Sequence, residues 1–463
     1  MFDSKIYIQR RKSLQEQIKT GLILFVGNEE SPMNYPSNTY NFRQDSSFLY
    51  FFGLDFPLLA AVIDVEDNKA IVFGNDVGIE DIIWMGYQPS IKERAMQAGV
   101  KETMPLNRLE ETVKSAQQKG KKVHYLPPYR PETKLKIAHL LGLQPDAVKS
   151  GASEELIKAV VAQRSVKMKE EVEEMEKAHS VTNEMHRVAM KMAKSGVYER
   201  EIVGKIEGIA LSHGFSLAFP IILTINGQIF HNQYRGNRLK KGRLLVNDSG
   251  AESALHYASD ITRTIPVSGS FSQKQKEIYE VVLGAQETAI QSISPGIKYK
   301  DIHFKAARYI ASGLKELGLM KGDLDEAVEQ GAHALFFPHG LGHMLGLDVH
   351  DMENLGEDYV GYDDKTKRSE QFGLAYLRMA RELQPGFVMT VEPGIYFIPA
   401  LIDKWKGEKK LTQFINYDQV EKYRDFSGIR IEDNVLVTEK GHRVLGKPIP
   451  KRVKDVERIA GSE

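Results

Sequence analysis

The chain has 463 residues, 42% apolar and 27% charged, a make-up typical of globular proteins and a length that suggests one small and one large domain. Its 62 basic and 62 acidic side chains cancel, which gives no support for a nucleic-acid surface or a membrane-binding patch. With no cysteine it can form no disulfide framework, thiol nucleophile or zinc finger.

The first residues lack the continuous apolar segment of a secretory signal, and no later stretch approaches a membrane span, so a cytoplasmic protein is expected. Residues 22–27 predict a buried strand closed by a glycine. Residues 60–65 and 69–73, separated by Glu66-Asp67-Asn68, predict a hairpin. Helices are predicted over 91–98 and 109–118, and a short strand over 123–126 before Pro127-Pro128. Residues 1–155 thus read as an α/β domain, with a junction near 144–153.

A second domain is expected over 165–463. Met168, Val172, Met175, Thr182, Met185, Ala189 and Met192 largely follow three- and four-residue spacing. They predict a long helix capped by Ser165 and ended at Gly196. The methionine stripe reads as a core face, and the mixed charges of 167–177 as a solvated one. A second helix follows over 199–212. Strands are expected at 221–225, 244–247, 261–267, 388–392 and 429–438, with helices at 273–290 and 298–317. No internal repeat is evident. The pattern is that of an α+β domain.

Five short motifs carry the chemistry. Asp248 closes one apolar strand and Asp260 opens the next, so an antiparallel pairing would set the two carboxylates opposite each other. Two carboxylates held that close repel unless cations lie between them. Two aspartates capping strand ends would explain that pair equally well. His339-Gly340-Leu341-Gly342-His343 makes a poor helix, and its glycines allow a tight backbone that aims both imidazoles at one place. His350 follows seven residues later. Glu392 ends an apolar strand just before Pro393-Gly394. Strand alternation puts Arg430 and Glu432 on one face, which would also suit a plain surface ion pair. Taken together, Asp248, Asp260, His343, Glu392 and Glu432 are a hard, oxygen-rich set suited to manganese, cobalt or zinc. Their four negative charges balance two divalent ions, the count a two-metal hydrolase needs.

In order, spacing and flanking residues these motifs resemble the aminopeptidase P and prolidase family, over nearly the whole chain. Asn41-Phe42-Arg43-Gln44-Asp45-Ser46 and the following Phe48-Leu49-Tyr50-Phe51-Phe52-Gly53 are similar to that family's N-terminal domain. The resemblance implies a pita-bread catalytic domain of α+β class preceded by a smaller α/β domain. It implies that Asp248, Asp260 and Glu432 hold one metal, and Asp260, His343, Glu392 and Glu432 the other, with manganese the usual choice. His231, His339 and His350 match histidines near the substrate that help proton movement, and Arg430 an arginine beside the last glutamate ligand. Arg378 matches the prolidase residue that contacts a dipeptide carboxylate. The implied reaction is release of the N-terminal residue from peptides with proline second, or cleavage of Xaa-Pro dipeptides only. A homodimer or homotetramer is expected. The segment between the two aspartates is one residue longer than usual and carries His256, which bears on the register of Asp248, and Ser249 replaces a small apolar residue. Metal-free creatinase-like relatives and non-enzymatic binding proteins on this fold typically lose the ligands that this chain keeps. A methionine aminopeptidase would not be expected to carry the N-terminal domain.

Overall fold

The computed structural model describes residues 1–462, which divide into two units: 1–164 with 353–359, and 165–352 with 360–463. The first unit is built on a five-stranded sheet in the order Glu102–Met104, Lys69–Phe73, Ala60–Asp64, Leu22–Val26, Val123–Tyr125. The three central strands are antiparallel and the two outer ones join in parallel. The expected hairpin is present, and Asn68 makes its turn at φ 49°. Leu22, Leu24, Val62 and Phe73 lie in a core closed by the helices Leu109–Gln118 and Pro131–Leu141.

The Asn41 to Ser46 motif has a local structural task. Gln44 is fully buried, and its carbonyl oxygen accepts from the N–H groups of Asn28 and Asp45 at 2.6 and 2.9 Å. The Asp45 carboxylate caps the helix Ser46–Phe52 by accepting from the Phe48 N–H, and Gly53 ends that helix in the left-handed region.

The junction differs from expectation. Residues 154–165 form a helix, so Ser165 ends one helix instead of capping the next. Its hydroxyl accepts from Arg381 at 2.9 Å. The long helix is Lys169–Met192, and the Glu171 carboxylate takes the Met168 N–H at 2.9 Å. Val172, Met175, Met185 and Ala189 face the core as expected. The charged stretch is not simply solvated. Lys167, Glu171 and Glu174 are buried; Lys167 meets Asp351 at 2.8 Å, and Glu171 accepts from the Tyr257 hydroxyl at 2.9 Å.

The second unit contains a duplication that the residue pattern hides. A pair of helices, Lys169–Met192 and Glu199–Ser212, precedes the antiparallel sheet of Ile261–Pro266, Leu244–Ser249 and Ile222–Thr224. A second pair, Gln273–Gln291 and Tyr299–Glu316, precedes the sheet of Val388–Val391, Asp433–Val437 and His442–Val444. Gly196 and Gly296 hold the same place in the two halves, both at positive φ. Their N–H groups reach Leu239 and Leu383 carbonyls, and those of Glu199 and Tyr299 reach Asn237 and Arg381. The expected strand 429–438 is two strands: Gly428–Arg430 pairs with Gly394–Tyr396, and Asp433–Val437 with Val388–Val391. The chain changes sheets at Ile431 and Glu432.

Candidate metal centre

The strands Leu244–Ser249 and Ile261–Pro266 pair antiparallel with Asp248 opposite Thr262. Asp260 lies two residues before that pairing, so the two carboxylates sit diagonally across the ladder instead of directly opposite. His256 sits in the turn between them at φ 67°, with its N–H on the Ser253 carbonyl. Asn434 brackets the Asp260 backbone, accepting from its N–H at 3.1 Å and donating to its carbonyl at 2.5 Å. Glu432, at the sheet change, is hung by its own N–H on the Thr262 carbonyl, and its carboxylate accepts from the Thr262 hydroxyl at 2.6 Å.

The glycine-framed motif docks against the strand Val388–Val391. Thr390 exchanges main-chain and hydroxyl bonds with His343, and the Glu392 N–H reaches the Leu341 carbonyl at 2.8 Å. A Cβ on Gly342 would fall 2.1 Å from the Thr390 carbonyl oxygen, so only glycine permits this approach. The His343 Nδ1 faces the Met344 carbonyl at 3.0 Å, which fixes its proton there. Its Nε2 then points a lone pair toward Asp260 and Glu392, whose oxygens lie at 3.5 and 3.6 Å. Ligand atoms of Asp260, His343 and Glu432 all lie within 4.8 Å of one another.

These groups fit divalent cations. Asp248 Oδ1, Asp260 Oδ1 and Glu432 Oε1 are buried without a hydrogen-bond partner, a costly state for carboxylate oxygens. Burial, then the charges of Asp248 and Glu392, hold the Asp260 carboxyl well above the usual carboxylate range. Burial followed by Asp260 does the same to Glu432, and burial followed by Glu432 to Glu392.

All ten residues singled out in the sequence line one cavity of about 870 Å³. His350 stacks edge-on against His343 with ring centres 4.3 Å apart. His231 lies exposed at the rim beside Phe230, and Arg378 is half-buried in the same wall. One participant was not foreseen. Arg430 donates to Asp248 at 2.5 Å and to the Tyr396 hydroxyl at 3.1 Å. The Tyr396 hydroxyl lies 2.9 Å from His339 Nε2, while His339 Nδ1 faces the Gly340 carbonyl at 2.8 Å. Nδ1 therefore carries the imidazole proton and Tyr396 donates to Nε2. Burial, then Arg430, push His339 down to about 3, so this ring is neutral at pH 7. The signal for Tyr396 was a tyrosine four residues after Glu392, in the strand that pairs with Arg430.

The model of metallopeptidase family M24 matches residues 173–439, and that of the aminopeptidase P N-terminal domain matches residues 7–125. A probable Xaa-Pro aminopeptidase of Fusarium vanettenii is 33% identical over 91% of this chain and 88% of its own length. The human Xaa-Pro dipeptidase is 30% identical over 95% of this chain and 89% of its own. Among solved structures, an Escherichia coli aminopeptidase P variant in complex with substrate superposes with a TM-score of 0.81 at 28% identity, covering 99% and 98% of the two chains. Pseudomonas aeruginosa aminopeptidase PepP does so with a TM-score of 0.81 at 27% identity, with the same coverage.

Proposed function

This chain belongs to metallopeptidase family M24, and from that premise we propose that it is an Xaa-Pro aminopeptidase, a hydrolase that releases the first residue from peptides with proline second. The observation that carries the reading is the buried cluster of Asp260, His343 and Glu432, with orphaned carboxylate oxygens that call for cations. Asp248, Asp260 and Glu432 would hold one divalent ion, and Asp260, His343, Glu392 and Glu432 a second, with manganese favoured by the oxygen-rich donors and zinc or cobalt as substitutes. When bound, such a pair activates water and polarises the scissile carbonyl. Arg430 fixes Asp248 and Tyr396 in place, and Tyr396 holds His339 at the cavity wall. His350, stacked on His343, and His231 at the rim supply donors to the peptide and its leaving nitrogen. A proline nitrogen carries no N–H and the ring fixes φ, so a wall shaped for the ring turns that restriction into selectivity.

Residues 1–155 form the N-terminal domain in this reading and 165–463 the catalytic one. The exposed apolar side chains of the helix Ile79–Met85, with Trp84 87% exposed, favour a homodimer or homotetramer. No helix among the described residues is long and apolar enough to cross a membrane, and the lack of cysteine is compatible with a cytoplasmic setting. A second reading, an Xaa-Pro dipeptidase, is favoured by Arg378 in the cavity wall, since a guanidinium suits a dipeptide carboxylate. Assay of an Xaa-Pro dipeptide against an Xaa-Pro-Xaa tripeptide with added manganese separates the two. Cleavage of the tripeptide supports the aminopeptidase, cleavage of the dipeptide alone the dipeptidase, and failure to bind metal or cleave either removes both.

A further inference from the structure

The cavity lining carries both signs of charge. The acids Asp248, Asp260, Glu392 and Glu432 are clustered with Arg430, which pairs with Asp248, and the wall also carries two further cations, Arg378 and Lys404. Lys404 comes from the helix Pro399–Gly407, in the segment between Glu392 and Glu432. The charges beside it are already matched. Asp403 pairs with Arg424 at 2.7 Å, and Lys406 with Glu421 at 3.0 Å. The Lys404 amine has no hydrogen bond or ion pair among the described residues. Its side chain is exposed, whereas Arg378 is half-buried, so Lys404 stands nearer the cavity mouth.

A free short peptide is itself polar end to end, with an ammonium at one terminus and a carboxylate at the other. Resting on the Xaa-Pro reading, we propose that Lys404 is a chain-length-determining residue that pairs with the free C-terminal carboxylate of a tripeptide whose scissile bond lies at the acidic cluster. The amine is a flexible point charge on a four-carbon stem, suited to a carboxylate whose position shifts with the third side chain. At a solvent-facing mouth one such pair contributes modestly, so its signature is a preference among substrates instead of an absolute requirement. A cavity of this volume has room for a short peptide, whose free end is a natural place for such a preference.

The test compares the tripeptide Ala-Pro-Ala, its C-terminal amide and the dipeptide Ala-Pro, with the manganese-loaded full chain and its K404M and K404R variants. For the unchanged protein the free acid should exceed the amide in kcat/KM by about two- to fivefold, through KM. K404M should bring that ratio close to one, and K404R should keep most of it. An acid-to-amide ratio in K404M equal to that of the unchanged protein overturns the proposal while the peptidase reading stands. If the unchanged protein cleaves none of the three peptides, the Xaa-Pro reading itself fails and the proposal falls with it. Lys404 is exposed, so a folding defect in K404M is not expected, and circular dichroism checks it.

Discussion

Asp248, Arg430, Tyr396 and His339 form one connected line of hydrogen bonds along the cavity, and the fully buried Tyr396 hydroxyl joins its two halves. Replacing Tyr396 by phenylalanine keeps the ring, which packs edge-on against Phe230 at 4.6 Å, and removes only the oxygen. His339 then loses the donor to its Nε2 and Arg430 loses one acceptor. A roughly 10- to 100-fold fall in kcat is expected, with metal content unchanged, as measured by steady-state kinetics beside elemental analysis. Asp260→Asn acts differently. It removes one negative charge from a carboxylate cluster that two cations would share, so calorimetric titration with manganese should show at least one binding event weakened more than tenfold. Binding as tight as in the unchanged protein would argue against a ligand role for Asp260. The acids and the imidazole were legible in the sequence because Asp248 and Glu392 end apolar strands, Asp260 opens one, His343 lies in a glycine-framed motif, and Glu432 follows the alternation of Ile429 and Ile431. Tyr396 was not, because an aromatic residue in an apolar strand reads as core until the facing Arg430 is known.

At the scale of elements, the glycine-framed motif shows how backbone contact aims a ligand. His343 is set by Thr390, and Gly342 lets the two main chains touch. Gly342→Ala would press a methyl into a carbonyl with no flexible side chain to yield. Destabilisation of roughly 3 kcal/mol is expected from such overpacking, together with weakened metal binding as His343 shifts. Thermal unfolding and manganese titration of the variant would show both. Apolar periodicity located most of the helices and strands that carry the site, including Glu199–Ser212 and Leu244–Ser249 within a few residues. It could not show that 429–438 is two strands, because Ile429 and Ile431 continue the alternation across the point where the chain changes sheets. The duplication of the second unit was hidden for a related reason. Its two halves share main-chain hydrogen bonds around Gly196 and Gly296 but place a buried glutamate, Glu199, where the other has Tyr299. The helix at 154–165 was missed because it directly follows a region already read as a linker, although Leu156, Ile157, Val160 and Val161 keep helical spacing.

For the whole molecule, the acidic cluster couples folding to pH and to metal. In the folded chain the carboxyls of Asp260, Glu392 and Glu432 bind protons more tightly than in the unfolded chain, through burial and mutual repulsion. The unfolded chain releases those protons near pH 4. Above that value the folded state holds more protons than the unfolded one, so stability falls as pH rises until the folded groups also ionise. The contribution is therefore fully present below the unfolded values and is lost on going toward neutral and alkaline pH. Asp433 works in the opposite direction. Burial alone would raise it, but Arg263 and Lys451 at 2.7 Å hold it well below the usual range, and that stability is lost only in acid. The chelated protein should accordingly melt at a lower temperature at pH 8 than at pH 5.5. Divalent ions would replace the protons and remove the repulsion. Manganese at about 100 times its dissociation constant adds about 2.7 kcal/mol for each site filled. The manganese-loaded protein should thus recover the melting temperature at pH 8 and gain less at pH 5.5, where ions compete with bound protons. Calorimetry at the two pH values, with chelator and with manganese, reads all four states. A manganese shift equal at both would mean that the carboxylates do not exchange protons for metal.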